Sequence, residues 1–226
     1  MVVEPVAGGP DELASRAAIW VADRVWSAVG ARGVAHLAVS GGTTPAVMFE
    51  RLGSLFLPWD RLHIWQVDER VAPDGDPDRN AALLDPLKRA SLHLMSVNET
   101  QRERAAARYG RELRAWCGGV FDVAHLGVGD DGHTASWPPG SPVRVDVDVD
   151  VVGPFRGHVR LTLTPPVINA ARERLVLAAG ETKVRVLSAL IAGTSDGPLG
   201  LLLRKGMTIL ADQAALPGVA HTVSLE

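Results

Sequence analysis

Ala124-His125-Leu126-Gly127-Val128-Gly129-Asp130-Asp131-Gly132-His133-Thr134-Ala135-Ser136 is the stretch on which the reading of this chain turns. The apolar run from Val120 to Leu126 has the character of a strand buried on both faces of a parallel sheet. It breaks abruptly into glycines, two aspartates and a histidine. Open α/β sheets place their ligand crevices outside the carboxyl ends of the strands, so these polar groups fall where chemistry is done. Histidine titrates near neutral pH without help, which marks His133 as a base carried by the loop. Asp131, two residues earlier, is placed to orient the imidazole or raise its basicity.

Gly127, Gly129 and Gly132 also spell the G-x-G-x-x-G spacing of a dinucleotide site. Two features oppose that reading. Asp130 and Asp131 would repel a pyrophosphate on the loop, and Pro138-Pro139 stands where a long helix should begin. No nucleotide cofactor and no metal is expected.

Moving towards the N-terminus, Val34 to Val39 reads as a short strand and runs into Ser40-Gly41-Gly42-Thr43-Thr44-Pro45. A helical pattern follows through Leu55, with Thr44 as the expected N-cap and Pro45 in the first turn. A strand, a Gly-Gly turn and a helix N-terminus form an anion site, because free backbone N–H groups and the helix dipole both favour phosphate. It is not a P-loop, since no lysine follows the glycines. A third strand, Arg61 to Val67, ends in Asp68-Glu69-Arg70, either a solvated loop or the wall of a site. Asn80 opens a helix that stops near Asp85-Pro86. At the start of the chain, Asp11 to Val29 is helical, capped by Asp11 and stopped by Gly30 and Gly33.

Further along, Leu92 to Met95 is a short strand and Asn98 to Trp116 an amphipathic helix with ion-paired arginines. Arg144 to Val152 alternates with period two and reads as an edge strand carrying Asp146, Asp148 and Asp150 on one face. His158 to Leu163 and Arg174 to Ala179 are strands. Gly180-Glu181-Thr182-Lys183 then opens a helix to Ile191, which sets the Lys183 cation against the dipole unless an anion sits there too. Met207 to Leu210 is the last strand, followed by Asp212.

With 226 residues, 46% of them apolar and 22% charged, the chain is expected to form a single α/β domain spanning 1–226. A net charge of −3 supplies no basic field for nucleic acid and no polybasic membrane surface. One cysteine, Cys117, rules out an internal disulfide and fits a reducing, cytoplasmic compartment.

Taken together, five segments resemble the 6-phosphogluconolactonase family. They are Ser40 to Pro45, Asp68-Glu69-Arg70 with Asn80, Leu126 to Ser136, Arg160 to Thr164, and Gly180 with Lys183. The Gly-His-Thr-Ala-Ser portion is the most specific. The resemblance implies a three-layer αβα sandwich with a mostly parallel, Rossmann-like sheet, shared with glucosamine-6-phosphate deaminase and ribose-5-phosphate isomerase. It also implies hydrolysis of 6-phospho-D-glucono-1,5-lactone without an obligatory cofactor. Trp137-Pro138 replaces a usual Leu-Phe, Arg79 replaces a serine, and Ala72 replaces a frequent valine.

A lactone is an activated ester and needs a positioned water, a base and an oxyanion stabiliser. His133 is the expected base, steered by Asp131. The phosphate is expected on the backbone of Ser40, Gly41, Gly42, Thr43 and Thr44, with charge from Arg160 and Lys183. Arg70 serves the oxyanion or the phosphate, and Asp68 and Asn80 hold sugar hydroxyls or the loop itself. The expected partner is a small sugar-phosphate lactone, bound by a monomer or small homo-oligomer. Two rivals are a glucosamine-6-phosphate deaminase-type enzyme and a non-catalytic sugar-phosphate sensor. The deaminase family has a titratable glutamate where this chain has Pro138, and a sensor needs an output module.

Overall fold

The computed structural model describes residues 1–218. In chain order the elements are β1 (Val2–Val6), α1 (Pro10–Arg32), β2 (Ala35–Val39), α2 (Thr43–Gly53), β3 (Leu62–Gln66) and β4 (Asp68–Arg70). They continue with β5 (Ser91–His93), α3 (Arg102–Cys117), β6 (Val123–Gly127), β7 (Val149–Phe155) and β8 (His158–Leu163). The last are α4 (Pro165–Ala170), β9 (Glu173–Ala178), α5 (Val184–Ala192) and β10 (Met207–Asp212).

Seven strands form one sheet in the order β1-β10-β9-β6-β2-β3-β5, every pair parallel. Because side chains alternate across a strand, β2 sends Leu37 and Val39 to one face and Ala38 to the other. On the first face they pack with α1 and α2 residues such as Trp20, Met48 and Phe49, all buried. On the second face Ala38, Trp65 and Leu126 meet Tyr109 and Leu113 of α3 and Leu187 and Leu190 of α5. The result is a mostly parallel sheet between two helical layers, the expected αβα sandwich. β4, β8 and β7 add a small antiparallel sheet beside the second layer.

Outward from the β2/β6 pair, the chain runs through β3 and β5 in one direction and through β9, β10 and β1 in the other. That reversal leaves a crevice above the carboxyl ends of β2 and β6, the position where such sheets hold ligands. The turns after these two strands are the glycine-rich stretches singled out above.

Several local expectations need correction. Gly42 (φ 131°), not Thr44, is the N-cap of α2, and Thr43 is already helical. Gly9 precedes α1, with Pro10 at its first turn, so Asp11 lies inside the helix. The Asn80 segment is a 3₁₀ helix, Asn80–Leu87, that carries Pro86 within it. β7 is an edge strand as expected but starts at Val149, so Asp146 and Asp148 lie before it. They are held by arginines instead: Arg114 grips Asp148 at 2.5 and 2.9 Å, and Arg144 grips Asp146 at 2.6 and 2.9 Å. β1 was not legible, because Val2-Val-Glu-Pro-Val6 is short and carries Glu4 and Pro5. Both are tolerated at the sheet edge.

Candidate active site

A cleft of about 350 Å³ opens above the carboxyl ends of β2 and β6. Its walls include the Ser40–Thr44 turn, Asp68 and Arg70 of β4, Asn80, Arg160 of β8, His133 and Lys183. Every expected site residue except Asp131 faces this space, and Asp131 stands behind the His133 ring. Asp131 Oδ1 is 2.5 Å from His133 Nδ1 and also accepts the His133 backbone N–H at 3.1 Å. Burial pulls the Asp131 carboxyl up, but the His133 backbone and ring and the Arg156 guanidinium outweigh it and set the pKa at about 2. An ionised carboxylate at Nδ1 requires that nitrogen to carry the proton, which leaves Nε2 as the basic site.

The glycines of this loop serve the histidine. A Cβ on Gly129 would overlap the His133 ring and the Asp131 carboxylate. Gly132 has φ +86°, a conformation that favours glycine. Ala135 takes φ +49° without being glycine, and Trp137 anchors the end of the loop, its buried indole donating to the Leu163 carbonyl at 2.8 Å. The unusual tryptophan is thus a structural pin beneath the site.

At the Ser40–Thr44 turn, the first-turn N–H groups of α2 have no intrahelical acceptor by geometry, and Pro45 lacks one altogether. The turn fits closely against Asn80, whose amide a Cβ on Gly41 would overlap. Asn80 Nδ2 donates to the Asp68 carbonyl at 2.9 Å, so the asparagine joins the turn to β4.

Asp68 is buried and accepts the Ser136 hydroxyl at 2.6 Å, with Arg160 Nη1 at 3.8 Å. Burial pushes its carboxyl above the ordinary range, against the pull of Ser136 and Arg160. Arg160 spends its Nε on the Phe155 carbonyl at 3.1 Å, and burial lowers its pKa. Arg70 donates through Nη1 to the Asp78 carbonyl at 2.7 Å.

Three groups were missed as functional or supporting residues. Glu69 is fully buried and organises the β4 wall, accepting from the backbone N–H groups of Arg70, Asn80 and Ala81 at 2.7–2.9 Å and from Gln66 Nε2 at 2.8 Å. Arg79, the unusual residue before Asn80, lies 3.2 Å from Glu69 and donates to the Ala72 carbonyl at 3.0 Å. Arg156, at the tip of the β7–β8 hairpin, reaches Asp130 at 3.1 Å and Asp131 at 3.0 Å. Only the acidic Asp130-Asp131 pair hinted at such a cation. Among the described residues, no group of three or more His, Cys, Asp or Glu side chains is arranged to hold a metal ion.

The fold and the cleft together define an open α/β protein with a glycine-rich turn at a helix N-terminus and a carboxylate-paired imidazole at neighbouring strand ends. Residues 8–210 match the family model described as glucosamine-6-phosphate isomerases/6-phosphogluconolactonase, and the chain belongs to that family. It is 36% identical over 198 residues to the 6-phosphogluconolactonase of Synechocystis sp., covering 81% of this chain and 82% of that one. It is 37% identical over 211 residues to the GDH/6PGL endoplasmic bifunctional protein of Oryctolagus cuniculus, covering 85% of this chain but 26% of the relative. The chain therefore spans about a quarter of that bifunctional relative. A solved 6-phosphogluconolactonase from Trypanosoma brucei superposes with a TM-score of 0.83 at 25% identity, covering 95% of this chain and 97% of that one.

Proposed function

We propose that this chain hydrolyses 6-phospho-D-glucono-1,5-lactone to 6-phospho-D-gluconate, a step of the oxidative pentose phosphate pathway. The observation that carries the reading is that the His133 imidazole and the Ser40–Thr44 turn line one cleft. His133 Nε2 takes a proton from water as the water oxygen attacks the lactone carbonyl carbon. The tetrahedral oxyanion then collapses, the ring C–O bond breaks, and the imidazolium returns its proton to the departing ring oxygen. Asp131 holds the tautomer and balances the imidazolium charge.

The phosphate sits on the α2 N-terminus, where backbone N–H groups and the dipole favour an anion, with Lys183 as a point charge. Arg160 adds positive field from the cleft floor, since part of its fork is already spent on Phe155 and Ser136. Arg70 serves the oxyanion or the phosphate, and Asp68 and Asn80 shape the sugar pocket. A cytoplasmic setting belongs to the same reading, supported by the single cysteine.

The family description covers isomerases as well, so the reaction is separated by chemistry. Pro138 cannot titrate and offers no second acid for ring opening. One paired assay decides: acid release from freshly made lactone, against ammonia release from glucosamine 6-phosphate. Acid release well above the spontaneous rate, with no ammonia, is expected. Ammonia release without lactone hydrolysis would overturn the assignment.

A further inference from the structure

The β7–β8 hairpin turns over two residues, Arg156 and Gly157, flanked by the paired Phe155 and His158. Both turn residues have positive φ, 47° and 84°. Successive positive φ values in a two-residue hairpin loop are the pattern of a type I′ turn, which favours asparagine, aspartate or glycine. A long cationic side chain at the first position is uncommon there. The strain is held at the edge of the cleft, where such outliers cluster.

Two contacts show what the tip does. The Phe155 ring meets the His133 ring edge-on, with centroids 5.3 Å apart. The Arg156 guanidinium bridges Asp130 Oδ1 and Asp131 Oδ2, while the other oxygen of Asp131 holds His133 Nδ1. The hairpin therefore grips both members of the His–Asp pair from outside the loop that carries them.

We propose that Arg156 is a positioning residue that acts through Asp131, fixing the carboxylate against His133 and sharing its negative charge. This rests on the reading of His133 as the base. The physical argument runs through charge. An aspartate that faces an imidazole alone stabilises the imidazolium strongly and so protonates its own base. A guanidinium on the far oxygen draws off part of that field. It also removes the rotational freedom of the Asp131 side chain. The other charged groups around the cleft are Asp130 on the same loop, Asp68 and Arg70 from β4, Arg160 from β8 and Lys183 before α5. Asp130 shares the same Arg156 bridge, and none of the other three cations is hydrogen-bonded to Asp131 among the described residues. Arg156 is thus the cation through which the hairpin sets the His133–Asp131 pair.

The test is an NMR titration of the His133 ring, assigned by the signal lost in His133→Asn, in the wild type and in Arg156→Gln. The same two proteins, with Arg156→Lys, are assayed for lactone hydrolysis across pH. In Arg156→Gln the His133 titration is expected to move up by roughly half a unit to one unit. The acid limb of kcat/KM should follow it, kcat at neutral pH should fall several-fold, and Arg156→Lys should restore the titration at least in part. An unmoved His133 titration, or a rise in KM with an unmoved limb, overturns the proposal. If the titration moves while the rate limb stays, the positioning role stands and His133 is not the base.

Discussion

Gly129 lies so close beneath His133 that a single methyl on its Cα would overlap the imidazole and the Asp131 carboxylate. Its backbone does not need positive φ, so alanine fits the chain conformation and fails only against the His133–Asp131 pair. Gly129→Ala should therefore fold, with an unchanged circular dichroism spectrum and a Tm within a few degrees. On the proposed mechanism a displacement of order 1 Å in the imidazole costs about a hundredfold, and kcat should drop by about that factor. A kcat within about twofold of the wild type would show that the ring's seat on Gly129 is not needed.

Lys183 tests the anion side of the cleft. In the proposed reaction phosphate is held alike in the ground and transition states, so Lys183→Ala should raise KM by about tenfold and leave kcat within about threefold. Initial-rate measurements over a range of fresh lactone concentrations separate the two constants. A fall in kcat alone would assign the lysine to the reacting centre.

The fully buried Glu69 carries the β4 wall, with three backbone N–H groups, Gln66 and the half of an ion pair supplied by Arg79. Removing Glu69 leaves three backbone N–H groups and Gln66 without their acceptor and Arg79 with only the exposed Asp74, at 3.1 Å, as an ion-pair partner among the described residues, which together cost about 3–5 kcal/mol. Glu69→Ala should lose about that much in urea denaturation. The exposed Lys88–Asp85 pair is the contrast, and Asp85→Ala should change stability by less than about 1 kcal/mol. Equal effects at the two sites would contradict the assigned role of Glu69.

Stability should fall in acid for a reason that sits outside the cleft. His125 is fully buried beside Phe49, neither ring nitrogen has a hydrogen-bond partner among the described residues, and burial lowers its pKa from 6.5 to about 3. Burial, and then the neighbouring His63, lowers that of His36 to about 4. Below about pH 6.5 the unfolded chain takes up protons that the folded chain refuses, so stability declines as pH drops from there towards 4. His125→Leu should make the slope shallower by about 1 kcal/mol per pH unit, read from urea midpoints at several pH values. An unaltered slope would show that His125 carries no proton linkage.

What the sequence made legible follows from where its signals are local. Apolar strands that switch abruptly to glycine and charged residues put Ser40, Asp68, Gly127 and His133 at strand ends without any tertiary knowledge. The G-x-G-x-x-G spacing has a local cause in the structure: Gly129 makes room for a histidine, and Gly132 turns the loop. Arg156 was invisible because its partners lie 25 and 26 residues away, across a hairpin whose turn carries no asparagine or aspartate. Glu69 reads in the sequence as a charge and not as a hub, since the amides it accepts from lie mostly eleven and twelve residues further on, across the intervening loop. The Asp146–Asp148 alternation imitated a strand, although what holds these residues is arginine pairing rather than a ladder.

The most direct test of the central claim is the turnover of freshly generated 6-phosphogluconolactone by His133→Ala, beside the wild type and the uncatalysed reaction. With the cleft and the phosphate turn left in place, the variant should lose about two to four orders of magnitude in kcat while KM changes little. Turnover undiminished in His133→Ala would mean that the imidazole at this strand end does not activate the water.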